Sequence, residues 1–209
     1  RRAGRLRAGP VDVRAAGLTA VEAVPLAEPY VTGDLAAAGW REEGSNRALF
    51  LDRDGVVNVN HGYVHRPEET DWVPGIFELA RAARAAGRVI VVVTNQAGIA
   101  RGLYTPGQFL DYTRWIHETF ASRGAPLLAT YYCPHHPVAG LGPWKVQCGC
   151  RKPAPGMLLA AARRFTLDLG QSLLVGDQPS DLAAADAAGV GRSLLYDGAQ
   201  PVSALAQAV

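Results

Sequence analysis

The sequence predicts an α/β fold: a parallel sheet with helices on both faces. Two observations predict it. Strand-like and helix-like segments alternate from residue 47 to residue 196, the pattern of parallel strands joined by helical crossovers. Polar and acidic side chains gather just past the strand-like runs, where open sheets of this kind bind ligands.

Each element has a local cause. The run ALFL (48–51) is apolar and reads as a buried strand. GIFELARAARAAG (75–87) places apolar residues at helical spacing and stops on Gly87. RVIVVVT (88–94) is strongly β-branched, as in a strand covered on both faces. TPGQFLDYTRWIHETFASRG (105–124) opens on Thr105 as N-cap with Pro106 at the first helical position, and closes on Gly124. LLATYY (127–132) is a third strand, GMLLAAARRF (156–165) a helix and SLLVGD (172–177) a fourth strand. SDLAAADAAG (180–189) is a helix and RSLLY (192–196) the last strand. Residues 1–46 lack periodicity and are left as an N-terminal extension without assignment, with 47–209 as the domain. The first 20 residues hold five arginines against one acid and are expected to be loosely ordered.

Composition narrows the function classes. With 209 residues, 48% hydrophobic and 19% charged, the chain suits one globular domain. A formal charge of +2 gives no general affinity for nucleic acid. The apolar runs are too short to span a membrane, no secretory signal is evident, and three cysteines make a poor disulfide framework. A cytoplasmic monomer is expected.

RALFLDRDGVVN (47–58) sets Asp52 and Asp54 one residue apart at the end of an apolar run. A solvated turn is one reading, since Asp and Gly favour turns. A helix-loop-helix calcium loop fits badly: counted from Asp52, glycine comes at position four and position twelve is Tyr63. The third reading is a catalytic Mg²⁺ site, because Asp177 follows another strand and three carboxylates suit a hard cation. A carboxylate beside Mg²⁺ can attack phosphorus, and the second acid can handle the proton. Thr94, Asn95 and Lys152 then offer donors to the phosphoryl oxygens.

CPHHP (133–137) and CGC (148–150) supply three thiolates and an imidazole, the set of a closed structural Zn²⁺ site. Either His135 or His136 could be the fourth ligand. Such a site would hold Arg151 and Lys152 over the cleft.

FLDRDGVVN, VVVTNQAGIARG, CPHHP with CGCRKPAPGM, and VGDQPSD together resemble the haloacid dehalogenase superfamily, over about residues 47 to 200. Within it they resemble the D-glycero-D-manno-heptose 1,7-bisphosphate 7-phosphatases. The resemblance implies a Rossmann-like sandwich without a large cap domain, and a small sugar bisphosphate substrate on the way to nucleotide-activated heptose and lipopolysaccharide. It implies Asp52 as nucleophile and Mg²⁺ ligand, Asp54 as general acid/base with its carbonyl on Mg²⁺, and Asp177 as a further Mg²⁺ ligand. Thr94 and Lys152 would steady the phosphoryl group and Arg151 would recognise substrate. The substrate-contacting set comprises Arg53, Asn60, His61, Gly62, Tyr63, Asn95, Gln96, Ala97 and Gln178. Cys133, His135, Cys148 and Cys150 would bind zinc. Two departures stand out: Asn60 replaces an Asp, and Gln178 stands where relatives often carry Lys. A histidinol-phosphate phosphatase is the nearest rival, since that branch shares the aspartates and the zinc loop. HGYVH (61–65) favours the heptose reading. A zinc-stabilised binding module without catalysis is opposed by the complete set of acids.

Overall fold

The structure is a computed structural model, and it describes residues 24–209. One sheet is formed by β1 (Tyr30–Val31), β2 (Arg47–Leu51), β3 (Arg88–Asn95), β4 (Ala129–Cys133), β5 (Leu173–Gly176) and β6 (Arg192–Leu195). The strand order is β1-β4-β3-β2-β5-β6. All pairings are parallel except β1 with β4. The helices are α1 (Ile76–Ala85), α2 (Ala97–Ala100), α3 (Pro106–Ser122), α4 (Gly156–Phe165) and α5 (Pro179–Ala188).

Both faces of the sheet are covered. Ala48 and Phe50 of β2 pack with Leu158 and Ala161 of α4 and Ala184 of α5. Leu49 and Leu51 point the other way, into a core with Leu79 of α1 and Ile116 and Phe120 of α3. Two buried faces explain why β2 and β3 read as continuous apolar runs rather than alternating ones. The α3 start follows its local chemistry: Thr105 Oγ1 accepts from Gln108 N at 3.2 Å, and Gln108 Oε1 accepts from Thr105 N at 2.8 Å.

The structure adds elements that the sequence pattern did not predict. Residues 24–46 pack against the domain: β1 extends the sheet, and Trp40 Nε1 donates to the Phe165 carbonyl at 2.9 Å. Two residues of strand carry no periodicity, so β1 has no pattern to read. The 3-10 helix Val202–Ala208 buries Val202 beside α1. The Arg-rich first 20 residues lie outside the described residues.

Strand order reverses at β2: the chain builds outward to β3 and β4 on one side, and to β5 and β6 on the other. A crevice forms past the strand ends at such a switch point. The connections 52–75 and 134–155 border it. The first holds isolated β-bridges at Asn58 and the short 3-10 helix Pro67–Glu69, the second the 3-10 helix Gly142–Trp144, so no large cap covers the crevice among the described residues.

Candidate active site and metal centres

The crevice is an open cleft of about 460 Å³ lined by Asp52, Asp54, Thr94, Lys152, Asp177 and Asp181, among others. Three strands deliver these groups: Asp52 follows β2, Thr94 and Asn95 end β3, and Asp177 follows β5. Asp52 is buried. Its Oδ1 accepts from the Arg53 amide at 2.8 Å and from Lys152 Nζ at 2.7 Å, while Oδ2 accepts no hydrogen bond among the described residues. Burial pushes the Asp52 carboxyl up to about 7; Lys152 opposes the rise, and Asp181 adds to it.

Lys152 is the cation of the site. It is 4% exposed, and Nζ reaches Asp52 Oδ1, Asp181 Oδ1 and the Val93 carbonyl at 2.7, 2.7 and 2.8 Å. Burial disfavours its charge, but the two carboxylates raise its pKa above the ordinary lysine value. Its backbone is clamped by Asn95, whose Oδ1 accepts from Lys152 N at 3.0 Å and whose Nδ2 donates to Lys152 O at 3.1 Å.

Asp181 was missed in the sequence. It stands four residues after Asp177, in the first turn of α5, so helical spacing could have flagged it. Its Oδ2 accepts from Gln178 N at 3.0 Å, closing the helix start. Asp52, Asp177 and Asp181 each offer an oxygen within 4.8 Å of the others. Asp177 Oδ1 is buried without a hydrogen-bond partner, the condition of an oxygen available to a hard cation. The Asp52 and Asp177 oxygens fit a Mg²⁺ ion, while both Asp181 oxygens are engaged by Lys152 and the Gln178 amide.

Asp54 stands beside this cluster. The turn that carries it closes on the Arg53 carbonyl, which accepts from Val57 N and Asn58 N at 2.8 and 3.0 Å. Asp54 Oδ2 accepts from Gln96 Nε2 at 3.1 Å, and Gln96 Nε2 also donates to Thr94 Oγ1 at 2.7 Å. Tyr104, not anticipated from sequence, donates its hydroxyl to Gln96 Oε1 and so sets the direction of that amide. Nothing local marks Tyr104, because its contact is made only when β3 and the start of α3 come together.

Most of the expected substrate set lines the cleft: Asn60, Gly62, Tyr63, Asn95, Gln96, Ala97, Arg151 and Gln178. Gln178 Nε2 donates to Asp177 Oδ2 at 2.9 Å. Two members lie elsewhere. Arg53, expected at the substrate, is 1% exposed and does not line the cleft: it lies buried behind Asp54, donating to that carboxylate and to the Val64 carbonyl. His61, also expected there, turns outward and its Nε2 pairs with Asp71 Oδ2 at 2.8 Å on the exposed surface.

The cysteine loop forms a second cluster. Cys133, Cys148 and Cys150 lie 3.2 to 3.5 Å apart at sulfur, and His135 Nδ1 is 3.5 Å from Cys150 Sγ. The spacing is far too long for a disulfide. It is close to the roughly 3.8 Å edge of a tetrahedron built on metal–sulfur bonds of about 2.3 Å. Three thiolates this close together repel one another, and a cation among them would relieve that repulsion. His136 is not part of the cluster: its Nδ1 accepts from the Val138 and Ala139 amides at 3.2 and 2.9 Å. Arg151 Nη1 donates to the His135 carbonyl at 3.3 Å, tying the cluster to the cleft.

Comparison with known proteins agrees with this geometry. A family profile described as HAD-hydrolase-like matches residues 149–208. The D-glycero-alpha-D-manno-heptose-1,7-bisphosphate 7-phosphatase of Burkholderia mallei is 55% identical over 150 residues, covering 72% of this chain and 79% of that protein. The D-glycero-beta-D-manno-heptose-1,7-bisphosphate 7-phosphatase of Vibrio cholerae is 44% identical over 162 residues, covering 78% of this chain and 87% of that protein. Among solved structures, the D,D-heptose 1,7-bisphosphate phosphatase of B. bronchiseptica, complexed with magnesium and phosphate, superposes with a TM-score of 0.66. It is 33% identical and covers 78% of this chain and 97% of that one. The chain therefore belongs to the heptose 1,7-bisphosphate 7-phosphatase family of the haloacid dehalogenase superfamily.

Proposed function

We propose that this protein hydrolyses the 7-phosphate of D-glycero-D-manno-heptose 1,7-bisphosphate and leaves the 1-phosphate in place. The observation that carries the reading is the meeting of Asp52, Asp177 and Asp181 beside Asp54, Thr94 and Lys152 in one cleft. Asp52 Oδ2, the oxygen left unbonded, attacks phosphorus. An Oδ2–P bond forms and the P–O bond to the sugar breaks. Asp54 gives a proton to the departing sugar oxygen. In the second half Asp54 takes a proton from water as that water attacks phosphorus, and the bond to Asp52 breaks to release phosphate. Mg²⁺ held by Asp52, Asp177 and the Asp54 carbonyl would supply charge neutralisation between nucleophile and phosphoryl oxygens. Lys152 and the Thr94 hydroxyl steady the same oxygens.

Asn60, Gly62, Tyr63, Gln96, Ala97, Arg151 and Gln178 border the space for the sugar and its second phosphate. Zinc is the cation that suits three thiolates and one imidazole, with no position left for substrate. Three free thiols suit a reducing cytoplasm.

The test is phosphate release from both anomers of the heptose bisphosphate, histidinol phosphate and fructose bisphosphate, each with and without Mg²⁺. Mg²⁺-dependent preference for a heptose anomer is expected. Preference for histidinol phosphate overturns the reading.

A further inference from the structure

Arg53 is among the most deeply buried side chains of the protein, at 1% exposure. A buried guanidinium is costly unless its charge and its donors are met. Here they are met chiefly by its sequence neighbour. Nε and Nη2 donate to Asp54 Oδ1 at 3.2 and 2.9 Å, and Nη2 donates to Asp54 Oδ2 at 2.8 Å. The same Nη2 donates to the Val64 carbonyl at 2.7 Å. The rings of Phe109 and Tyr112, both from α3, lie 5.7 and 5.3 Å from its central carbon and wall it in. Nη1 is buried with no partner. A residue retained for stability alone would be poorly chosen, because apolar side chains of similar volume commonly replace buried ion pairs without loss.

Val64 closes the loop whose Asn60, Gly62 and Tyr63 border the cleft. One guanidinium nitrogen therefore joins that loop to the Asp54 carboxylate. Gln96 and Asn58 reach the same carboxylate from other sides, at 3.1 and 3.2 Å. We propose that Arg53 is a positioning residue: it fixes the Asp54 carboxylate relative to the loop that receives the leaving group, so that the proton is delivered at the departing oxygen. The inference rests on the phosphatase reading above. Proton delivery is sensitive to placement, since small displacements of a catalytic group cost large factors in rate.

The test uses kcat/KM, which reports steps up to departure of the leaving group. Aryl phosphates from phenyl to 2,4-dinitrophenyl phosphate are hydrolysed with Mg²⁺ by the full chain and by Arg53→Lys, Arg53→Met, Asp54→Asn and the Arg53→Met/Asp54→Asn double variant. A good leaving group needs no proton and a poor one does. Both Arg53 variants are expected to lose about 10- to 100-fold on phenyl phosphate, within what a general acid contributes. They are expected to keep their rate on dinitrophenyl phosphate within about threefold, so that the leaving-group dependence steepens toward that of Asp54→Asn. In the Asp54→Asn background the Arg53 change should add nothing further. An equal loss across the series, from misfolding or any other cause, overturns the proposal, as does an additive loss in the double variant. If the unaltered chain hydrolyses none of the esters, the phosphatase reading fails and the inference with it.

Discussion

Lys152 and Asp181 form a buried ion pair, with Nζ 2.7 Å from Oδ1. The same ammonium lies 2.7 Å from the Asp52 carboxylate, so one cation serves two acids. Lys152→Met removes it and leaves both carboxylates buried with no cation. A loss of about 3–5 kcal/mol is expected in urea unfolding without Mg²⁺, the usual cost of breaking a buried pair. Turnover should fall about 10²–10³-fold, the scale of one lost donor to a charged transition state. Unchanged unfolding would show that the pair adds nothing.

Burial outweighs the shared cation and raises the Asp52 carboxyl from 3.8 to about 7. A carboxyl raised in the folded state binds its proton more tightly there than in the unfolded chain. Between about pH 4 and pH 7 the folded state therefore holds the extra proton, and stability from this group falls as pH rises through that window. Mg²⁺ favours the ionised form, so it should raise Tm more at pH 8 than at pH 5. Thermal unfolding at both pH values, with and without Mg²⁺, checks the sign. An equal gain at both would contradict it.

Gly55 has φ +103° and faces Asp177: a Cβ at that position would overlap the Asp177 carboxylate. Gly55→Ala therefore combines backbone strain of about 1–3 kcal/mol with displacement of a metal ligand. The Mg²⁺ concentration for half-maximal activity should rise about tenfold or more, since about 1.4 kcal/mol is a factor of ten in affinity. A magnesium titration of phosphate release reads it directly.

Metal analysis of the purified chain should find about one zinc, as one closed site requires. Stripping it with a chelator should lower Tm and activity together, because the cysteine loop holds the segment that leads into Arg151 and Lys152. A metal-free preparation that is folded and fully active would remove zinc from the account.

The sequence by itself determined the alternating strands and helices, the helix start at Thr105 and Pro106, and the acids at the strand ends. Each depends on residues close along the chain: β-branched runs, apolar spacing of 3.6, a cap three residues from its amide. The spacing of Cys133, Cys148 and Cys150 was legible for the same reason. Tertiary structure decided the rest, because direction is not local. It turned Arg53 under Asp54 and His61 out to Asp71, although both sit within motifs that mark the cleft. It placed His135 among the cysteines, as the resemblance implied, and set His136 on the Val138 and Ala139 amides. It brought Tyr104 onto Gln96, and it made Asp181 the second partner of a lysine 29 positions earlier in the chain. Local pattern specifies which face of an element is apolar. Only packing of those faces settles which polar groups meet, since each buried charge must find its partner in whatever neighbour the fold supplies.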